Sequence, residues 1–246
     1  MTVAFNVVIP AIYDNSDFPN KALVDVGGKP MIQHIYERAR NAGAQDVVIA
    51  TESAKVGMAA EDFGATVCMI VDESVHGIFR LSAVVDKLEW GDDVTLVSVP
   101  GDAPLIPEAL ILDAAENLAS HELAECVAMY KVVDRDIAGR EDTINMVVDN
   151  EDYVMYMSRA LLPHCVNNSS PDFGYRCWTG VTAYRSALLR ILGTLDEDTF
   201  EKSECVQELM LLYNGIKIFA RQASADIGHR VTTEDDIEAV SELLTA

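Results

Sequence analysis

The sequence has no long hydrophobic run and no leader-like start. Half of its 246 residues are hydrophobic, yet no stretch approaches the roughly 20 uninterrupted apolar residues that a membrane-spanning helix needs. The first residues carry no basic segment ahead of an apolar core, so we expect no signal peptide, no membrane insertion and a cytoplasmic location. The length fits one domain spanning residues 1–246.

Cysteine is scarce, and its spacing excludes two classes of scaffold. The five cysteines are odd in number, widely separated and never arranged as C-x-x-C, which argues against a disulfide framework and against a zinc site. The five histidines show no i, i+4 pair of the kind that chelates a metal. The nucleophile motif G-x-S-x-G is also absent, and no spacing of serine, histidine and aspartate demands a catalytic triad.

Positive charge is scarce as well. Lysine and arginine number 18 against 40 acidic residues, which gives a formal net charge of −22. A field of this sign repels nucleic acids and anionic lipid surfaces, so we expect no nucleic-acid partner. A small anionic ligand is still compatible with this charge, because two or three local cations dominate within a Debye length of about 8–10 Å.

Strand-like and helix-like segments alternate through the first 120 residues. The apolar pattern predicts strands at 3–9, 47–51, 67–71 and 94–99, and helices at 30–42, 53–63, 79–88 and 107–118. Such alternation indicates βαβ units and an α/β fold with a mostly parallel sheet.

The second half of the chain has a different pattern. It predicts strands at 125–133, 145–149, 153–158 and 180–185, with a hairpin joining the second and third of these. Helices are predicted at 186–195, 202–213 and 233–244, and the last is opened by a capping box from Thr233 to Asp236.

The loop at residues 11–23 follows the first strand and precedes Gly27-Gly28-Lys29-Pro30, which starts a helix. This layout lets backbone N–H groups and side chains grip a triphosphate. Lys21 is the only cation of the loop, which also contains Asp14 and Asp17.

Short segments in a fixed order carry a resemblance to a known family. They are residues 8–11, 18–21, 28–32, 101–104, 156–163 and 231–237. Their order and spacing resemble the CMP-Kdo synthetases, the cytidylyltransferases that activate 3-deoxy-manno-octulosonate for lipopolysaccharide, and the match runs nearly end to end.

The resemblance implies a three-layer, Rossmann-like nucleotidyltransferase fold with CTP at the carboxyl ends of the strands. It implies attack of a sugar-acid oxygen on the α-phosphorus of CTP, assisted by Mg²⁺, and a homodimer. The site residues it implies are Lys21 and Asp102 as catalytic groups, with Asp102 on the metal; Pro10, Ala11, Lys21, Gly77 and Arg80 on the nucleotide; and Arg159 and Gln207 on the sugar acid.

The sequence departs from this family at charged positions. The family has arginines where this chain has Ile12 and Asp17, and an aspartate metal ligand where it has Thr232. The family's Ser-Gly-Thr-Asp-Arg base loop is His76-Gly-Ile-Phe-Arg80 here, and Asn145 stands in place of a lysine. Each lost charge-assisted contact is worth about 1.5–3 kcal/mol, so we expect weak binding of CTP.

Two classes of function stay open. One is a transferase that acts on a 3-deoxy octulosonate or a modified relative of it. The other is a non-catalytic homologue that binds a ligand without turnover or serves as a partner subunit, because function depends on the site and not on the fold.

Three of the site residues also have ordinary structural interpretations. Asp102 is a candidate helix cap, and Arg80 a candidate for a salt bridge. Arg159 follows an apolar strand and has Glu204 or Glu208 as an alternative partner.

Overall fold

The structure is a computed structural model that describes residues 3–12, 18–72, 77–196 and 199–245. Its strands are β1 (Asn6–Pro10), β2 (Asp25–Val26), β3 (Lys29–Pro30), β4 (Asp46–Thr51), β5 (Thr66–Met69), β6 (Thr95–Ser98), β7 (Cys126–Val133), β8 (Asn145–Val148), β9 (Val154–Ser158), β10 (Tyr175–Arg185) and β11 (Ile218–Gln222). Its α-helices are α1 (Met31–Asn41), α2 (Ala54–Asp62), α3 (Gly77–Lys87), α4 (Glu108–Ser120), α5 (Arg135–Ala138), α6 (Ser186–Ile191), α7 (Thr199–Glu204), α8 (Glu208–Tyr213) and α9 (Asp236–Thr245).

The central sheet has the strand order β11-β7-β10-β6-β1-β4-β5. Strand β1 runs parallel to β4 and β6, β4 to β5, and β7 to β11. Strand β10 is antiparallel to both of its neighbours, and the β8–β9 hairpin attaches to it. The predicted mostly parallel α/β sheet is therefore confirmed, and so is the predicted hairpin.

Helices cover both faces of the sheet. Val7 and Ile9 of β1 pack with α1, α2 and α4 in one buried cluster, whereas Val8 packs with α3, α6 and α8 in another. Successive side chains of a strand point to opposite faces, so an unbroken run of apolar residues fits a strand that is buried on both sides. The result is the three-layer arrangement that the resemblance implied.

Some predicted boundaries are wrong. The helix predicted at 202–213 is two helices, because Cys205 adopts a left-handed backbone with φ +52° between α7 and α8. The strand predicted at 180–185 is the second half of the longer β10, and the last helix begins at Asp236 and not at Thr233. Strand β11 and the short helix α5 were not predicted.

No helix within the described ranges is both long and apolar enough to cross a membrane.

Candidate functional site

A cleft of about 380 Å³ opens at the carboxyl ends of β1 and β6. Pro10 ends β1 and Ala11 follows it into the cleft, and Gly101 and Asp102 come after β6. A Cβ on Gly101 would lie 2.3 Å from the backbone oxygen of Pro10, so only glycine lets the two segments approach this closely. Ligands of open parallel sheets bind at this edge, which makes the cleft the candidate site.

An irregularity in β10 forms one wall of the cleft. Its pairing with β7 shifts register between Trp178 and Thr182, and Gly180 there has φ +85°. A Cβ on Gly180 would lie 2.9 Å from Cγ of Pro100. The indole N–H of Trp178 donates to the Thr182 hydroxyl at 3.1 Å, so the half-buried ring is fixed at the cleft wall. Bulges of this kind often re-aim a side chain beside a site.

Asp102 is the centre of a charge cluster on the cleft floor. Its Oδ2 lies 3.0 Å from Nζ of Lys21. Arg230 donates from Nε to Oδ1 at 2.9 Å and from Nη2 to Oδ2 at 3.0 Å, and Nη2 also lies 2.8 Å from Oδ1. Burial raises the pKa of Asp102, but the charges of Arg230 and Lys21 outweigh this effect and hold the pKa below its ordinary value. The carboxylate is therefore ionised and fully paired.

The segment before α9 is anchored in a way that brings Arg230 to Asp102. The backbone N–H of Val231 donates to the Asp102 carbonyl at 2.9 Å. The Asp236 carboxylate accepts from the backbone N–H groups of Thr232 and Thr233, each at 2.8 Å, and from the Thr232 hydroxyl at 2.9 Å. These bonds tie residues 231–233 to Asp102 and to the first residue of α9, and so fix the backbone that follows the arginine.

Gly77 and Gln207 meet at the start of α3. The Gln207 Oε1 accepts from the Ile78 backbone N–H at 2.7 Å, and a Cβ on Gly77 would lie 1.4 Å from that oxygen. Gly77 and Gln207 line a second cavity of about 650 Å³ that shares Pro10 with the cleft.

Arg80 points away from both spaces. It is 3% exposed, lines neither the cleft nor the second cavity, and its Nη1 forms an ion pair with Glu52 at 2.8 Å. The structural interpretation of Arg80 as a salt-bridged residue is therefore confirmed.

Arg159 reaches the cleft but already has neutral partners. Its Nε donates to the Glu204 carbonyl at 2.9 Å and its Nη1 to the Glu141 carbonyl at 3.1 Å. Its backbone N–H donates to the Glu204 carboxylate at 2.9 Å. Of the two partners predicted for Arg159, Glu204 is a partner, but the guanidinium bonds to its carbonyl and not to its carboxylate. Glu208 is wrong, because it is buried and accepts the Tyr184 hydroxyl at 3.0 Å.

The structure thus brings five of the predicted residues together around one cleft and places the others elsewhere. Pro10, Ala11, Lys21, Asp102 and Arg159 line the cleft, while Gly77 and Gln207 line the adjoining cavity. Asp14, Asp17 and His76 lie outside the described residues.

Comparison with known proteins identifies the family. Residues 6–218 match the cytidylyltransferase family model. The 3-deoxy-manno-octulosonate cytidylyltransferase of Vibrio parahaemolyticus serotype O3:K6 is 35% identical over 243 residues, covering 97% of each chain. The chain belongs to the 3-deoxy-manno-octulosonate cytidylyltransferase family. A second such enzyme, from Actinobacillus pleuropneumoniae serotype 5b, is 34% identical over 248 residues and covers 98% of each chain.

A solved structure extends the comparison to the fold of the cytidylyltransferase family. The CMP:2-keto-3-deoxy-manno-octonic acid synthetase complexed with CTP superposes with a TM-score of 0.89 at 30% identity and covers 98% of both chains. The resemblance and the fold predicted from the sequence are therefore confirmed.

The residues around Asp102 do not fit the Mg²⁺ ion that the resemblance implies. Both carboxylate oxygens are bonded to cations, and the Thr232 hydroxyl is bonded to Asp236. The described residues contain no group of three or more histidine, cysteine or acidic side chains placed to hold a metal. A divalent ion at Asp102 would stand beside the two fixed positive charges of Lys21 and Arg230.

Sequence reasoning missed Arg230, because none of the segments that carry the family resemblance includes it. The only available signal was a basic residue directly before the recognisable segment at 231–237, in a chain that has few basic residues. The buried pair of Tyr184 and Glu208 was also missed, since it joins residues of β10 and α8 that no local pattern connects.

Proposed function

We propose that this chain is a CMP-Kdo synthetase-like protein that keeps the ligand cleft of its family but has lost the standard transfer of CMP from CTP to a 3-deoxy octulosonate. The observation that carries the proposal is the Asp102 carboxylate, whose two oxygens are engaged by Lys21 and Arg230. A cytidine nucleotide and a sugar acid are the ligand classes supported by the CTP complex of the solved relative and by the names of the curated ones.

The electrostatics of the cleft support loss of the standard reaction. Catalysis of phosphoryl-type transfer depends on fixed cations and metal ions aimed at developing charge, and removing one well-placed group costs about 10²–10³ in rate. Here Ile12, 47% exposed at the cleft, stands in place of a family arginine, and Thr232 in place of an acidic metal ligand. With the arginine and the acidic metal ligand both replaced, the triphosphate lacks two of the groups that bind it in the family.

A transferase with a changed sugar acid is the second candidate. The cavity beside the cleft is lined by apolar side chains, among them Ile78, Leu81 and Val206. A less polar relative of the octulosonate would fit such a lining better than the parent sugar acid does.

Pyrophosphate release separates these candidates. Purified protein is incubated with CTP, Mg²⁺ and a panel of 3-deoxy octulosonates that includes less polar derivatives, with the Vibrio parahaemolyticus relative as the positive control. We expect no release above the protein-free blank for any of the acids. Robust turnover with the parent octulosonate would refute the proposal, and turnover with a derivative alone would establish the second candidate.

Direct binding gives an independent measurement. Calorimetric titration with CTP and Mg²⁺ should show weak binding or none, because the loop has lost its arginines. Micromolar affinity would contradict this expectation.

The family resemblance also supports a cytoplasmic homodimer, and sedimentation equilibrium tests the dimer.

A further inference from the structure

Arg230 still has unused hydrogen-bonding capacity facing the cleft. Its Nε and Nη2 bond to Asp102, whereas Nη1 has no hydrogen-bond partner among the residues that the structure describes. That nitrogen lies 4.0 Å from the position a Cβ would take on Gly180, at the cleft wall. The side chain is 39% exposed, so a ligand in the cleft can reach the free N–H groups.

Lys21 is a second cation with unused hydrogen-bond donors. Its ammonium has three donors, and the described part of the chain accepts one of them, through Asp102 at 3.0 Å. Lys21 and Arg230 therefore approach one carboxylate from two sides, and each keeps donors for another oxyanion.

The charge of the cluster is positive even though the protein is strongly acidic. Among the residues that the structure describes, one negative charge on Asp102 faces one positive charge on Lys21 and one on Arg230, which leaves one positive charge uncompensated. Arg159 also lines the cleft and bonds to neutral carbonyls, and Asp142, the other carboxylate that these residues contribute to the lining, is exposed. A local excess of this kind attracts an anion at short range despite the net charge of −22.

The position of Arg230 is fixed by the backbone. The Val231 N–H bonds to the Asp102 carbonyl, and Asp236 holds the following two residues. Because bonds within its own segment hold the neighbouring backbone, the guanidinium is positioned beside the carboxylate before any ligand binds. The site is therefore preorganised.

We propose that Lys21 and Arg230 form a fixed cation pair that takes the place of a divalent metal ion at Asp102 and binds one oxyanion of the ligand without metal. The oxyanion is the carboxylate of a sugar acid or the phosphate of a cytidine monophosphate. The inference rests on the proposed function for the identity of the cleft, but it makes a separate claim about what holds the ligand there.

Metal binding is the first test, with Mn²⁺ alone as the probe and electron paramagnetic resonance as the readout. The variants are Asp102→Asn, Arg230→Gly, Arg230→Gly with Thr232→Asp, and this double variant with Asp102→Asn added, each checked for folding by circular dichroism. The wild type should show only the weak Mn²⁺ association of an acidic surface, whereas Arg230→Gly with Thr232→Asp should bind one Mn²⁺ at least tenfold more tightly. Loss of that site on adding Asp102→Asn places it at the cleft. Tight Mn²⁺ binding by the wild type that Asp102→Asn abolishes would overturn the inference.

Ligand binding is the second test, with CMP and 3-deoxy-manno-octulosonate titrated separately in EDTA and in Mg²⁺. The affinity of at least one of them should agree within about twofold between the two buffers, and Arg230→Gln should weaken it tenfold or more. The matched control is Arg221→Gln, which removes another carboxylate-paired arginine that lines neither cavity. Binding of CMP alone assigns the site to phosphate, and binding of the sugar acid alone assigns it to carboxylate.

The outcomes separate this inference from the proposed function. Binding that requires Mg²⁺, or no binding of either probe, overturns the inference even if no turnover is seen. Turnover that continues in EDTA overturns the loss of activity and leaves the fixed cation pair standing.

Discussion

Replacing Asp102 with asparagine is expected to destabilise the whole fold. The side chain is 14% exposed and that of Lys21 is 19% exposed, so their ion pair is largely shielded from water. Asparagine keeps the shape of the aspartate side chain, but it removes the negative charge and places an NH₂ donor next to the donors of Lys21 and Arg230. The carboxylate accepts from Lys21 and twice from Arg230. Charge-assisted bonds contribute about 1.5–3 kcal/mol each. Because solvent screens the 39%-exposed Arg230 and asparagine still accepts one bond, we expect a net loss of about 3 kcal/mol.

The same variant should change how stability depends on pH. The folded pKa of Asp102 lies below its ordinary value of 3.8, so the ionised carboxylate stabilises the native state above that pH. This stabilisation is lost as the pH falls from there through the depressed folded pKa. The difference between wild type and variant should therefore be full at pH 7 and shrink in acid.

Thermal unfolding followed by circular dichroism measures both effects. For a chain of this length, a loss of about 3 kcal/mol lowers the Tm by roughly 6–12 °C. Asp142→Asn is the matched control, because Asp142 lines the same cleft but is exposed and has no bond within the described ranges. It should change stability by less than about 0.5 kcal/mol. If the two variants melt together at pH 7, the cluster at Asp102 does not stabilise the fold and the reasoning is refuted.

Two further substitutions test buried contacts near the second cavity. Burial raises the pKa of Glu208, so the protein should lose stability as the pH rises from 4.5 through that raised value. Glu208→Gln keeps an acceptor for the Tyr184 hydroxyl and should remove this loss of stability. Urea unfolding between pH 5 and 8 measures the difference. If the variant loses as much stability with rising pH as the wild type does, Glu208 is not the cause of the pH dependence. Gly77→Ala places a Cβ 1.4 Å from Gln207 Oε1, on a backbone with φ +52°. It should displace the Gln207 side chain and lower the free energy of unfolding by about 1–3 kcal/mol. Gly91→Ala is the control, because the space around Gly91 is open, and it should lower the free energy of unfolding by less than about 0.5 kcal/mol. Equal melting temperatures for the two alanine variants would contradict the predicted contact.

Much of the sheet could be predicted because its signal is local. Val7, Val8 and Ile9 are apolar in an unbroken run, which fits a strand covered on both faces, and the helices between the strands show a 3.6-residue period. The break at Cys205 could not be predicted, because a left-handed residue other than glycine leaves no clear mark in the sequence.

The candidate site was predictable only in part. Pro10, Ala11 and Asp102 lie at or just after the carboxyl ends of strands that meet at one edge, so topology alone brings them together. Arg230 lies 128 residues after its carboxylate partner, and no local pattern links the two. The missing family arginines could be seen in the sequence, but the cation supplied from the last segment of the chain could not.

The late position of Arg230 has a consequence for synthesis on the ribosome. Asp102 and Lys21 leave the exit tunnel long before the residue that completes their cluster, so the nascent domain holds a carboxylate with one cation at its floor. The bonds from Val231 and Asp236 form only after those residues have been synthesised. A product that ends before residue 230 would thus contain all the strands of the described sheet but would lack the arginine that completes the charge cluster of the cleft.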